Sequence, residues 1–288
     1  NHSTSFNVSN FALNTINVWI EHPADLNTNN NSLTTSVSGV SFIPTKRVVF
    51  EEATGTWCGW CPRGTVALEN LALSYPDNAI GIAVHNGDPM TVNIYDNGLG
   101  GLISGYPSGV IDRKSGDVDP GDFMSLFSSY VSEISPVEIS AVATWNATNR
   151  MIDIQLTGEF VASLSGDYRF NAVILEDGVG PYSQTNYYSF QSQNIALVSP
   201  SGFDWQAAGS NVSVPFDHVA RAILGGFEGT ASSIPSTITA GGIHTHNYTH
   251  TLPASQNENN IHVVGMVIDN NTGEILNGIS VSLSGMST

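Results

Sequence analysis

The sequence predicts an α/β unit built around a dithiol, followed by an all-β antiparallel sandwich. Three observations carry this. The only two cysteines in 288 residues, Cys58 and Cys61, stand as Cys-x-x-Cys between an apolar strand and a helix. A second continuous apolar run, Ala79 to Val84, follows that helix, as a central parallel strand should. From Pro136 the texture changes, and apolar residues recur in steps of two over several short runs.

Residues 1–44 form the first part. Phe6, Val8, Phe11, Leu13, Ile16, Val18 and Ile20 keep period two, and Leu33 to Phe42 reads as a further strand beyond an Asn-rich loop. Two strands are marginal in water, so this segment is expected to pack on another part of the chain. Residues 45–135 form the α/β unit. Arg47 to Glu51 reads as a buried strand, and the helix from Pro62 to Tyr75 opens on a proline whose missing N–H costs nothing there. Asp119 caps a last helix in which Phe123, Leu126, Phe127, Tyr130, Val131 and Ile134 make one apolar face. Residues 136–288 form the sandwich, immunoglobulin-like in its strand rhythm. Strands are expected at 137–145, 152–156, 168–174, 218–224, 243–251, 261–269 and 275–283, with Asp269 to Gly273 as a hairpin turn.

The Cys-x-x-Cys pair admits three readings. Zinc wants four ligands, and no further cysteine or nearby histidine is present in sequence to complete its shell. A permanently closed bridge suits a secreted protein, although so small a loop removes little unfolded-state entropy. A redox dithiol is the leading reading. At a helix start the first thiol meets the positive end of the helix dipole, which favours the thiolate that attacks other disulfides.

The strand–dithiol–helix arrangement resembles the thioredoxin fold. Gly105-Tyr106-Pro107-Ser108-Gly109 resembles the element that carries a cis proline facing the dithiol in that fold. Glu52, six residues before Cys58, stands where thioredoxins bury an acid that relays a proton; the other reading makes it a solvated strand end. Val48 to Gly55, Cys61-Pro62-Arg63-Gly64 and Ile82 to Met90 together resemble a family of outer-membrane lipoproteins and surface proteins named for a twenty-eight-kilodalton outer membrane protein of Gram-negative bacteria. The likeness is strongest over residues 46–135. It implies a thioredoxin-like domain fused to β-rich segments. It also implies Cys58 as attacking thiol, Cys61 as resolving thiol, a Cys58–Cys61 disulfide when oxidised, and a substrate groove framed by Trp57, Trp60, Tyr106 and Pro107. Trp60 and Pro62 replace the usual Pro and Lys of cytosolic thioredoxins, which leaves the direction of electron flow open.

Composition narrows the partners. Eight Lys+Arg against 25 Asp+Glu give a formal charge of −17, which argues against nucleic acid and anionic membrane surfaces. No apolar run approaches the roughly 20 residues of a membrane-spanning helix. A start at Asn1 without a leader reads as a mature exported form. These features predict an extracytoplasmic protein, outer-membrane-associated, cell-surface or secreted, whose partners are a protein thiol or disulfide or a surface complex. The rival function is a non-catalytic surface binding protein using the α/β unit as a scaffold with a fixed disulfide.

Other clusters are weaker. His85 ends the Ala79–Val84 strand on the edge that carries Cys58, as a loop histidine or a modulator of the dithiol. Asp117, Asp119 and Asp122, with Asp112, form an oxygen-rich loop that admits structural calcium but lacks the usual spacing. No other cofactor is expected. His244 and His246 share a strand face with Thr and Tyr, read by default as solvated rather than metal-binding. Residues 181–206 hold Tyr182, Tyr187, Tyr188, Phe190, Phe203 and Trp205 among amides, suited to stacking on a glycan or peptide or to plugging a domain junction.

Overall fold

The structure, a computed structural model, describes residues 13–285. Phe6, Val8 and Phe11 of the expected first strands lie outside the described residues. The chain is mostly β, in several sheets.

Strands β1 (Leu13–Trp19) and β2 (Ser32–Ser38) pair antiparallel as a two-stranded sheet. Period two does produce strands here, but the apolar side chains are not buried: Val18, Trp19 and Leu33 are exposed. Two strands alone enclose no interior.

Strand β3 (Val48–Thr54) is buried along its whole length. It pairs in parallel with β4 (Ala79–His85), from Val48↔Ala79 to Thr54↔His85. Helix α1 (Pro62–Ser74) makes the crossover and packs Ala67, Leu68 and Leu71 against Val48, Phe50 and Ala83. Helix α2 (Asn93–Gly100) covers the other face with Tyr95 and Leu99. The sequence reading did not anticipate it, because Asn93, Asn97, Gly98 and Gly100 are poor helix formers and tertiary packing overrides them. Strand β5 (Ser108–Ile111) runs antiparallel beside β3. After a single 3₁₀ turn capped by the Asp119 side chain, α3 (Phe123–Val131) stacks Phe123 and Phe127 on Phe50.

The remaining strands are β6 (Val137–Asn146), β7 (Met151–Phe160), β8 (Leu164–Ser165), β9 (Tyr168–Glu176), β10 (Val179–Thr185), β11 (Asn211–Phe216), β12 (Val219–Ile223), β13 (Thr237–Ile238), β14 (Gly242–Thr251), β15 (Ile261–Asp269) and β16 (Glu274–Ser282). A three-stranded sheet, β14-β7-β6, faces β9, β15 and β16 across Ile154, Leu156, Phe160, Phe170, Ile174 and Val263. The sandwich layering expected from period two is therefore present. Its larger sheet is not a closed antiparallel, immunoglobulin-like sheet, however. The order β16-β15-β9-β12-β4-β3-β5 runs on into the α/β unit, with β12 antiparallel to β9 and parallel to β4. The join is short: Val219 pairs with Ala83, and the Ala83 amide donates to the His218 carbonyl at 2.8 Å.

A buried ion pair ties the elements of the α/β unit together. The Arg113 guanidinium, just after β5, donates to both oxygens of Glu51 in β3, at 2.8 and 2.6 Å. The Tyr95 hydroxyl of α2 donates to the same carboxylate at 2.6 Å. Arg113 also lies 3.7 Å over the Phe227 ring, from the loop after β12. Removing one member of such a buried pair leaves the other charge uncompensated. Arg113→Ala is expected to lower unfolding stability by about 3–5 kcal/mol in urea titrations; a loss below about 1 kcal/mol would mean that the pair is not the tie it looks to be.

Candidate functional site

The turn from β3 into α1 closes on itself. The Cys58 amide donates to the Gly55 carbonyl at 3.0 Å and the Cys61 amide to the Cys58 carbonyl at 3.2 Å. Cys58 and Cys61 are joined as a disulfide, with their Cα atoms 5.3 Å apart. Cys61 caps α1, so the bridge sits at the positive end of the helix dipole. Both cysteines are buried, Cys58 at 5% exposure and Cys61 at 1%.

Glu52 lies beneath this turn. A methyl group placed on Gly64, in the first turn of α1, would meet its Oε1 at 1.8 Å, so only glycine leaves room for the carboxyl. Glu52 is 1% exposed and Oε1 has no hydrogen-bond partner. Burial pushes its pKa up to about 8, against a hydrogen bond from Thr54 and the charge of Arg63. Of the two sequence readings, the solvated strand end is excluded by this burial.

His85 is also buried, and it shares a hydrogen bond of 2.7 Å between Nδ1 and Asp88 Oδ2. The same Asp88 oxygen accepts from the Thr56 amide at 2.9 Å, which anchors the dithiol turn to the end of β4. Burial works to raise the Asp88 carboxyl, but His85 and the Thr56 and Met90 amides hold it below its ordinary value. His85 is thus no free loop histidine; it orients the carboxylate that fixes the turn.

The four expected groove residues divide. Trp57 is 48% exposed, donates from Nε1 to the Asn86 carbonyl at 2.7 Å, and meets the Tyr106 ring edge-on at 5.3 Å. Tyr106–Pro107 is cis, and the next residue, Ser108, pairs with Ala53 of β3. Trp57, Tyr106 and Pro107 therefore gather at one end of β3. Trp60 does not join them; its ring packs edge-on against Tyr187 and Tyr188 at 5.5 and 5.3 Å.

Those tyrosines belong to a strap that the sequence reading placed in a loose aromatic loop. The Thr185 amide donates to the Thr56 carbonyl at 2.8 Å, Gln184 Nε2 to the Cys58 carbonyl at 2.8 Å, and the Tyr187 amide to the Gly59 carbonyl at 2.9 Å. A methyl group on Gly59 would collide with the Tyr187 ring at 2.4 Å. Tyr188 and Trp205 are buried with Val66. Thr54, Gly64 and Asp88 were given no role from sequence, and Gln184 was noted only as one of the amides of residues 181–206. The one available signal was the density of amides and aromatics over 181–206.

The remaining clusters are tied to partners within the protein. Asp117 accepts from the Ser104 and Ser108 hydroxyls, while Asp119 accepts from the Gly121 amide and holds Arg63. Among the described residues no three His, Cys, Asp or Glu side chains converge as a metal site. The face of β14 with His244 and His246 is half-buried rather than solvated; these rings meet Phe160 and Tyr248.

Comparison with known proteins adds a family. A family model described as outer membrane protein Omp28 matches residues 101–284. No curated protein matches in sequence. Among solved structures, HBP35 of Porphyromonas gingivalis is similar at a TM-score of 0.61 and 19% identity, over 85% of this chain and 79% of that one. A protein of Agrobacterium tumefaciens scores 0.44 at 14% identity, over 84% of this chain and 96% of that one. A domain of the outer membrane lipoprotein Omp28 from Porphyromonas gingivalis scores 0.31 at 16% identity, over 54% of this chain and 93% of that one. The likeness to HBP35 is one of fold.

The buried Glu52 makes stability depend on pH. The fold holds this proton more tightly than the unfolded chain, whose carboxyl titrates near 4.5. Stability contributed by the neutral acid is full below that value, falls as pH climbs towards about 8, and levels off above it. Glu52→Gln is expected to flatten that slope and to be more stable than the parent at pH 9 by on the order of 3 kcal/mol. Chemical denaturation of both proteins from pH 5 to 9 checks this; parallel curves would place the carboxyl in water.

Proposed function

The chain belongs to the Omp28 family of outer membrane proteins, and from that premise we propose that it performs thiol–disulfide exchange through Cys58 and Cys61. It is an extracytoplasmic, outer-membrane-associated protein. No helix among the described residues is long and apolar enough to cross a membrane. In this reading residues 45–135 are a thioredoxin-like unit, and residues 1–44 and 136–288 are its β-rich additions. The parallel pairing of β3 and β4 around α1, with β5 antiparallel, supports that assignment.

The observation that carries the reading is the buried Glu52 carboxyl beneath the first turn of α1, whose Oε1 has no partner. A structural bridge gains nothing from a buried acid, whereas an exchange site needs a proton there. A substrate thiolate attacks Cys58 Sγ, the Cys58–Cys61 bond breaks, and Cys61 leaves as thiolate. Neutral Glu52 supplies its proton. A second substrate thiolate then attacks the substrate sulfur of the mixed disulfide and releases Cys58 as a thiolate, stabilised by the α1 dipole. The substrate gains a disulfide and the Cys58–Cys61 pair is left reduced. Run backwards, the same steps reduce a substrate. With no other cysteine in the chain, electrons pass to or from an outside protein thiol or disulfide.

One observation favours the rival reading, a surface binding or structural protein with a fixed bridge. The strap from Gln184 to Tyr187 holds the Cys58 and Gly59 carbonyls, and Cys58 is only 5% exposed. Exchange requires this strap to yield.

Thiol counting by alkylation and mass across glutathione potentials separates the two. An exchange protein is expected to titrate between about −120 and −270 mV, and a fixed bridge to resist reduction below about −300 mV. Cys61→Ser is expected to trap mixed disulfides on Cys58; a variant that accumulates none while remaining folded speaks for the scaffold.

A further inference from the structure

On the opposite flank of α1 from the residues that pack on the sheet lies a cavity of about 680 Å³, between Glu69 and Leu73 of α1, the loop carrying Phe203 and Trp205, and the corner from Phe216 to His218. That volume lies within the roughly 300–1,000 Å³ of small-molecule sites. Its outer walls are apolar and partly open: Leu73 is 71% and Phe203 37% exposed, while Trp205 and Phe216 are buried behind them.

One end is different in kind. Half-buried Glu69 and exposed Asp217 stand there together, and no Lys or Arg lines the cavity. His218, the one lining residue able to carry positive charge, has its Nδ1 3.9 Å from Asp177. Glu69 Oε2 is buried without a hydrogen-bond partner. Burial raises the Glu69 pKa, Ser199 opposes this through a hydrogen bond, and the charge of Asp217 raises it further. Beyond Glu69, Asp217 and His218 a small recess continues inward to Glu52 and His85. Both of those side chains are 1% exposed, and Glu52 Oε1 and His85 Nε2 have no partner. The carboxylate end thus presents one unsatisfied acceptor, Glu69 Oε2, beside Asp217, and its walls present apolar and aromatic surface.

We propose that this cavity binds a small organic cation, with an apolar body between Leu73, Phe203 and Trp205 and a protonated amine directed at Glu69 and Asp217. An ammonium group supplies a donor for the unpartnered Glu69 Oε2, joins the Gly178 amide that already donates to Asp217 at 2.8 Å, and relieves the repulsion between the two carboxylates. The same geometry rejects a carboxylate ligand, which would place a third negative charge against them. A chain of formal charge −17 also concentrates cations near its surface. The binding does not depend on thiol exchange, although the recess behind the cavity reaches Glu52.

The test uses the full oxidised chain, so that no redox step takes part. 2-Phenylethylamine and its acidic counterpart 3-phenylpropionate are titrated in parallel, by calorimetry and by amide NMR shifts. The amine is expected to bind saturably and to shift amides in residues 65–73 and 199–218, with the acid at least about tenfold weaker. Glu69→Gln and Asp217→Asn are each expected to weaken the amine by about tenfold. Leu73→Ala, on the exposed rim where folding is not at stake, is expected to weaken it severalfold. Absence of saturable amine binding, equal binding of the acid, or shifts elsewhere in the chain would overturn the proposal. So would affinity unchanged in folded Glu69→Gln and Leu73→Ala. None of these outcomes bears on whether Cys58 and Cys61 exchange.

Discussion

A strand covered on both faces has no water in which to leave a charge, and β3 carries two adjacent carboxylates. Successive side chains point to opposite faces, so Glu51 and Glu52 cannot share one solution. Glu51 faces the α2 side and meets Arg113 and Tyr95, which satisfy it and join three elements in doing so. Glu52 faces the α1 side and meets Gly64, with one oxygen left unpartnered. The first carboxylate stabilises the fold as an ion pair. The second burdens it, and the proton it retains serves the disulfide above it only in the exchange reaction proposed for the chain.

The dithiol turn is held from two sides by different means. On one side, Asp88, fixed by His85, accepts from Thr56 and ties the turn to the end of β4. On the other, the strap from Gln184 to Tyr187 uses its own backbone and one amide side chain to satisfy the carbonyls of Thr56, Cys58 and Gly59. The first tie is charged and buried, and the second consists of neutral hydrogen bonds, of which the one from Gln184 to Cys58 is buried as well. Of the two, the strap is the one that can open without leaving a buried charge exposed.

The two halves of the chain meet in one sheet, and polar side chains seal the seam. Asn277 of β16 donates to the Thr45 and Val137 carbonyls and accepts from the Arg47 amide, joining three distant segments at once. Lys46 makes a buried ion pair with Asp112 at 2.6 Å and donates to the Leu276 carbonyl. These contacts explain why the segment between the hairpin and β3 is firmly seated although it forms no strand.

The sequence alone determined what local spacing and local chemistry can determine. Cys58 and Cys61, three residues apart at a helix opened by Pro62, fixed the strand–dithiol–helix unit. Alternation in Val137 to Trp145 and in Ile152 to Leu156 fixed strands, because a half-buried strand must repeat every two residues. Tertiary structure decided the rest, because partners far apart in sequence leave no periodic trace. α2 forms because Tyr95 and Leu99 find a sheet face to cover, despite its glycines and asparagines. Trp60 turns away from Trp57 because Tyr187 and Tyr188, more than a hundred residues on, receive its ring. Val18, Trp19 and Leu33 stay exposed because a two-stranded sheet encloses no interior of its own. Whether Glu52 marked a strand end or a buried acid was undecidable from spacing. Burial settled it, since only the assembled sheet and α1 remove the carboxyl from water.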